Sequence, residues 1–193
     1  MPRKKIGVLI SGGGTNLQAI IDACSESTIN GQIKLVISNK EGAFGLERAE
    51  KAGIDSLFID PKNFPGSDYD LELIKELEKR DIELVVLAGF LRVVSPLFIN
   101  RYRDRIINIH PSLIPEFCGD GYYGEKVHQS VLDSGSLVSG ATVHFVDEGT
   151  DTGKIILQES VKVLKDDTLE SLQKRVLKVE HKILIQALYE LCK

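Results

Sequence analysis

The strongest constraint on the fold is a run of short apolar segments that alternate with segments of helical period. Residues 5–10 (KIGVLI), 33–37 (IKLVI), 55–59 and 84–87 (LVVL) are strand-length and rich in β-branched residues. Between the first two, Leu17, Ile20, Ile21 and Cys24 recur at helical spacing, which predicts a helix to about residue 27. A second helix over 45–52 stops at Gly53, and a third over 69–79 follows a loop from Pro61 to Ser67. Strands separated by helices imply right-handed βαβ units, hence a mostly parallel sheet with helices on both faces. From residue 106 the pattern changes. A strand at 106–109, a Gly- and Pro-containing loop over 111–124 and a helix near 125–133 precede two consecutive strands, 138–146 and 154–163. Strand following strand predicts an antiparallel pair. A last helix is predicted to begin with Asp167 as its cap and Glu170 closing a capping box, with Leu172, Val176, Val179 and Ile183 as its core stripe. The expected fold class is therefore α/β: a Rossmann-like, mostly parallel twisted sheet with an antiparallel pair in the C-terminal half. One domain is expected over 1–193, with 1–100 as a nucleotide-binding-like half.

At 193 residues the chain can bury roughly 70% of its extended surface without staples. A net charge of −4 argues against a nucleic-acid-coating surface, and the Arg101, Arg103, Arg105 cluster, broken by Tyr102 and Asp104, reads as a solvated face. Three cysteines without a CxxC pair fit a reducing compartment. The opening MPRKKIGVLIS has too short an apolar run for a signal peptide, and no segment approaches a membrane span. A cytoplasmic protein is expected.

The turn Ser11-Gly12-Gly13-Gly14 joins the first strand to the first helix. Such a turn frees backbone N–H groups and aims a helix N-terminus at a ligand, both of which favour phosphate. Gly14, Thr15 and Asn16 add close backbone approach, a hydroxyl and an amide; the other reading is a tight turn that binds nothing. The loop is neither GxGxxG nor a Lys-containing P-loop, so neither a dinucleotide nor ATP is indicated.

In the strand 106–110, side chains alternate between faces, so Asn108 and His110 share one and Ile107 and Ile109 the other. An amide beside an imidazole at the carboxyl end of a strand can donate hydrogen bonds to a developing oxyanion. Thr142 and His144 share a face by the same logic, and the acids Asp147, Glu148 and Asp151 follow in a turn. One carboxylate beside His110 would hold its charged form and accept a proton; spacing does not choose among the three. No GxSxG elbow, HExxH pair or Cys/His zinc spacing is present, so neither hydrolase-elbow chemistry nor a metal is expected.

The segments SGGGTNLQAIIDA (11–23), SNKEGAFGLERAEKAGI (38–54), LAGFLRVVSP (87–96), NIHPSLIP (108–115) and ATVHFVDEGTDTG (141–153) together resemble the folate-dependent glycinamide ribonucleotide formyltransferases. The resemblance runs in order over nearly the whole chain. It implies a catalytic trio of Asn108, His110 and Asp151, supported by Thr142 and His144. It implies a substrate-phosphate loop at Gly14, Thr15 and Asn16, and a ribose contact from Glu180, which by itself reads as a surface charge. It also implies a folate pocket at Arg92, Val93, Val94, Asp147 and Glu148, which makes 101–193 the folate-binding and catalytic half. The co-substrate implied is 10-formyltetrahydrofolate, without a metal, and the expected partners are small molecules rather than nucleic acid or membrane, in a monomer or homodimer. Three segments depart from the family pattern: a longer flap at 116–124, a loop at 64–70 one residue short and lacking an Arg, and Lys154 where Pro is common. A hydrolase of the same folate is the nearest alternative, disfavoured because such relatives carry an extra N-terminal domain. Transfer to aminoacyl-tRNA is disfavoured by the acidic balance and the missing C-terminal domain, and a non-catalytic folate- or nucleotide-binding module is the other class.

Overall fold

The computed structural model describes residues 2–193. The apolar runs form the strands β1 (Lys4–Ile10), β2 (Gly31–Ser38), β3 (Ser56–Phe58) and β4 (Leu84–Leu87), and the periodic segments form the helices α1 (Thr15–Ser25), α2 (Phe44–Lys51) and α3 (Asp68–Glu78). A short helix α4 (Pro96–Arg101) then leads to β5 (Ile106–His110), α5 (Glu125–Asp133), β6 (Val138–Phe145), β7 (Ile155–Lys162) and α6 (Leu169–Leu191). The strands make one seven-stranded sheet in the order β3-β2-β1-β4-β5-β6-β7. Pairing is parallel from β3 to β5 and antiparallel for β6–β7, as expected, and β5–β6 is antiparallel as well.

Strand alternation distributes the core over both faces of this sheet. Ile6, Val8, Ile10, Val86, Ile107 and Ile109 pack with α1 and α6, whereas Leu9, Val85, Leu87 and Ile106 pack with α3 and α4. Covering both faces explains why these strands read as continuous apolar runs. The chain leaves β1 toward β2 and β3, then crosses back to place β4 on the other side of β1. That reversal opens a crevice at the carboxyl ends of β1 and β4, where open α/β sheets bind ligands.

Three local expectations change. Helix α4 was not foreseen: it is only six residues long, and starts with Pro96 at its first position. The loop from Pro61 to Ser67 contains a 3-10 turn at Pro61–Asn63, capped by Asp60, whose carboxylate accepts a bond from Lys62 N–H at 3.0 Å. The cap of α6 is Thr168 rather than Asp167, with Ser171 rather than Glu170 closing the box. Asp167 is drawn away because its carboxylate pairs with the Arg175 guanidinium and accepts the Leu164 N–H at 2.7 Å. These partners hold its carboxyl well below the usual range, Arg175 contributing most.

Candidate active site

The glycine turn after β1 is shaped from behind by α2. Gly45 N–H donates to the Gly12 carbonyl at 3.0 Å, and Arg48 Nε donates to the Gly13 carbonyl at 2.8 Å. In a trans peptide the N–H points opposite to the C=O. Tying these two carbonyls back therefore turns the Gly13 and Gly14 N–H groups away from α2, and both residues line the large cavity. Gly14 sits at φ +68° as the cap of α1, and a Cβ there would stand 2.7 Å from the Gly45 Cα. Only glycine satisfies both the left-handed backbone and this approach.

One cavity of about 660 Å³ runs over the carboxyl ends of the strands. Its lining includes Gly14, Thr15, Asn16 and Glu180, the β4-following segment with Arg92, Val93 and Val94, and Asn108, His110, His144, Asp147 and Asp151. Two residues named from the sequence lie elsewhere. Thr142 is fully buried outside the lining, where its hydroxyl donates to the Ser112 carbonyl at 2.6 Å and accepts from Ile114 N–H at 3.2 Å, bracing the base of the flap. Glu148 lines a smaller hollow with Ile99, Arg103 and Asp104.

The antiparallel register sets Asn108 opposite His144 and His110 opposite Thr142, so all four side chains share the face inferred from alternation. A register shift between Val143 and His144 in the β6–β7 ladder adjoins this point, a common device for re-aiming a side chain. Asp151 adopts φ +57°, a left-handed conformation that aspartate tolerates better than most residues. From there its carboxylate lies 3.4 Å from Asn108 Nδ2, 3.5 Å from His110 Nδ1 and 3.5 Å from His144 Nε2. Geometry thus singles out Asp151 among the three acids of the turn as the neighbour of both polar residues.

The flap closes onto the same group. Phe117 O accepts a bond from His110 Nε2 at 2.9 Å, and Gly119 N–H donates to Asp151 Oδ2 at 3.0 Å. The Thr150 hydroxyl donates to Asp120 at 3.2 Å. His144 Nδ1 lies 2.8 Å from the Phe145 carbonyl, which orients the ring, and its Nε2 lies 3.3 Å from Asn108 Nδ2.

Charge in the trio is divided differently from the sequence expectation. Burial pushes the His110 pKa below its ordinary value and outweighs the raising effect of Asp151. Burial likewise pushes Asp151 up, but the side-chain contact with His144, the neighbouring His110 wherever it is protonated, and the Gly119 N–H together carry its carboxyl below the ordinary value. The resting site therefore holds an ionised Asp151 and, at neutral pH, an uncharged His110, rather than the charged imidazole that a neighbouring acid alone implies.

Glu180 was expected at the surface when considered by itself; it is 8% exposed and accepts a bond from Asn16 Nδ2 at 2.8 Å. Burial pushes its carboxyl up, against the Asn16 bond. Sequence reasoning missed His128, Tyr122, Tyr123 and Gln173, which also line the cavity. For His128 a signal existed: Val127, His128 and Val131 form the buried stripe of α5.

Comparison with known proteins places this architecture. The sequence model of the formyl transferase family matches residues 4–188. The trifunctional purine biosynthetic protein adenosine-3 of Drosophila melanogaster is 50% identical over 93% of the chain, and the chain spans 13% of that protein's length. The chloroplastic phosphoribosylglycinamide formyltransferase of Arabidopsis thaliana is 42% identical over 98% of the chain, which spans 66% of it. Among solved structures, glycinamide ribonucleotide transformylase 1 from Symbiobacterium toebii superposes with a TM-score of 0.94 at 45% identity, covering 98% of this chain and 88% of that one. The phosphoribosylglycinamide formyltransferase from Bacillus halodurans gives 0.92 at 38% identity, covering 97% and 95%. This chain belongs to the formyl transferase family.

Proposed function

We propose that the protein transfers the formyl group of 10-formyltetrahydrofolate to the amine of glycinamide ribonucleotide. The observation that carries this reading is the convergence of the Asn108 amide, the His110 imidazole and the Asp151 carboxylate in one cavity that also contains the glycine turn. Similarity to enzymes bearing that name supports the substrate pair.

The cavity has the features both substrates need. Free N–H groups at Gly13 and Gly14 and the N-terminus of α1 suit a phosphate. Glu180, held by Asn16, offers a carboxylate to ribose hydroxyls. Leu87, Val94 and Val146, with the segment 89–94 and the turn residues Asp147, Gly149 and Thr150, offer an apolar slot edged by peptide groups for a flat heterobicycle.

In the proposed mechanism the substrate amine attacks the formyl carbon. A C–N bond forms, the carbonyl π electrons move onto oxygen, and the attacking nitrogen becomes positive. Asn108 Nδ2–H and the His110 ring N–H stabilise the oxyanion. Asp151, ionised at rest, accepts the proton shed by the attacking nitrogen. Collapse of the intermediate re-forms C=O and breaks the bond to the folate nitrogen, which takes up a proton. Phe117 O and Gly119 N–H hold His110 and Asp151 from the flap side, while both residues also line the cavity.

Incubating the protein with 10-formyltetrahydrofolate, with and without glycinamide ribonucleotide, tests the reading. Turnover that requires the ribonucleotide supports transfer. Formate release at the same rate without it would instead identify a hydrolase, and binding without turnover a non-catalytic module.

A further inference from the structure

Tyr69 and Asp70, in the first turn of α3, take no part in the chemistry above, yet they are 0% and 3% exposed. Their neighbour Leu71 is 48% exposed. A buried carboxylate is unfavourable unless hydrogen bonds compensate it. Asp70 Oδ2 accepts the Ser95 N–H at 2.6 Å, across 25 residues of chain, while its Oδ1 has no partner among the described residues. Ser95 ends the segment after β4 that forms one wall of the cavity. Arg92, within that segment, lies over the Tyr69 ring at 4.6 Å from its centroid. The opposite end of the wall is held by Ser11, whose hydroxyl accepts the Leu91 N–H at 2.8 Å and whose N–H donates to the Gly89 carbonyl at 3.1 Å. Leu91 and Val93, at 50% and 70% exposure, find little packing of their own. The course of this wall is thus set by its two ends and by the aromatic ring beneath Arg92.

We infer that Asp70 is a positioning residue for the folate-side wall: by holding Ser95, and with Tyr69 seating Arg92, it fixes the slot that grips the co-substrate. The inference rests on the proposed function, since it assigns the 89–95 wall to the folate. A purely structural role, capping the short helix α4, would change stability without selecting between ligands.

The test measures dissociation constants for tetrahydrofolate and for glycinamide ribonucleotide, with thermal melts, for the wild type and for Asp70→Ala and Asp70→Asn. Asp70→Ala is expected to weaken tetrahydrofolate about tenfold or more, as loss of a charge-assisted bond implies, with ribonucleotide affinity within about twofold. Asp70→Asn, whose amide oxygen still accepts from Ser95, should recover most of the loss. Asp70→Ala with wild-type tetrahydrofolate affinity, or with both ligands weakened alike, would overturn the inference. Should Asp70→Ala fail to fold, Tyr69→Leu and Tyr69→Phe decide. The Leu variant should bind tetrahydrofolate at least about fivefold more weakly than the Phe variant, which keeps the ring under Arg92, and equal affinities would overturn the inference. A wild-type protein that binds no tetrahydrofolate refutes the proposed function itself, an outcome distinct from a selective failure of the variants.

Discussion

Acidification should destabilise this fold in large part through one side chain, His128. It is 2% exposed on the buried face of α5, and its Nδ1 has no hydrogen-bond partner among the described residues. Burial pushes its pKa down to about 4, with the nearby His110 charge adding to the effect. An unfolded histidine titrates near 6.5, so between that value and about 4 the unfolded chain carries a proton that the folded one excludes. Stability therefore falls as pH drops through this window, is unaffected by this group above it, and levels off below it. At 1.36 kcal/mol per pH unit, the full window is worth up to about 3 kcal/mol. Urea unfolding at half-unit steps from pH 7.5 to 4.5 measures it, with His128→Gln as the reference that cannot titrate. The other depressed histidines contribute to both proteins: His181 cancels in the difference, and His110 cancels apart from its coupling to His128. The wild type should lose roughly 2–3 kcal/mol more than the variant between pH 7 and 4.5. Parallel curves would refute the argument that burial keeps His128 neutral.

Two further outcomes follow from the substrate side of the cavity. Gly14→Ala must place a side chain at φ +68°, 2.7 Å from the Gly45 backbone, so it should cost more than about 1 kcal/mol in chemical denaturation. It should also weaken ribonucleotide binding, whereas Gly13→Ala, which meets no atom within 4 Å, should leave stability nearly unchanged. Glu180→Gln keeps an acceptor for Asn16 but replaces the other carboxyl oxygen with a donor amide. The KM for glycinamide ribonucleotide should rise roughly tenfold while the KM for the folate stays within about twofold, and an equal rise in both would contradict the ribose assignment.

How much of this was legible in the sequence depends on what each feature is made of. The sheet was readable because parallel strands covered on both faces must be continuously apolar, as in Leu84–Leu87. The shared face of Asn108 and His110 was readable because alternation along a strand is fixed by geometry. Glu180 could have been placed inside the fold: it lies four residues beyond Val176 and three before Ile183, in the core stripe of α6. Its charge hid it, because an unpaired glutamate is almost never buried and its partner Asn16 is 164 residues away. The cap of α6 was misplaced by one residue because Asp167 and Thr168 are both good caps, and the pull of Arg175, two turns along the same helix, with the Leu164 N–H, decides between them. The flap contacts could not be read at all. Phe117 and Gly119 act through a backbone carbonyl and a backbone N–H, which nearly every residue carries, so their sequence holds no trace of the bonds to His110 and Asp151.

The central claim is that Asn108, with His110 and Asp151, stabilises an oxyanion during formyl transfer. Single-turnover transfer from 10-formyltetrahydrofolate to glycinamide ribonucleotide by Asn108→Ala, with both substrates saturating, tests it most directly. The account predicts a rate loss of about 10²–10³-fold with the affinity for each substrate changed by less than about threefold. A folded variant that transfers within tenfold of the wild-type rate would contradict it.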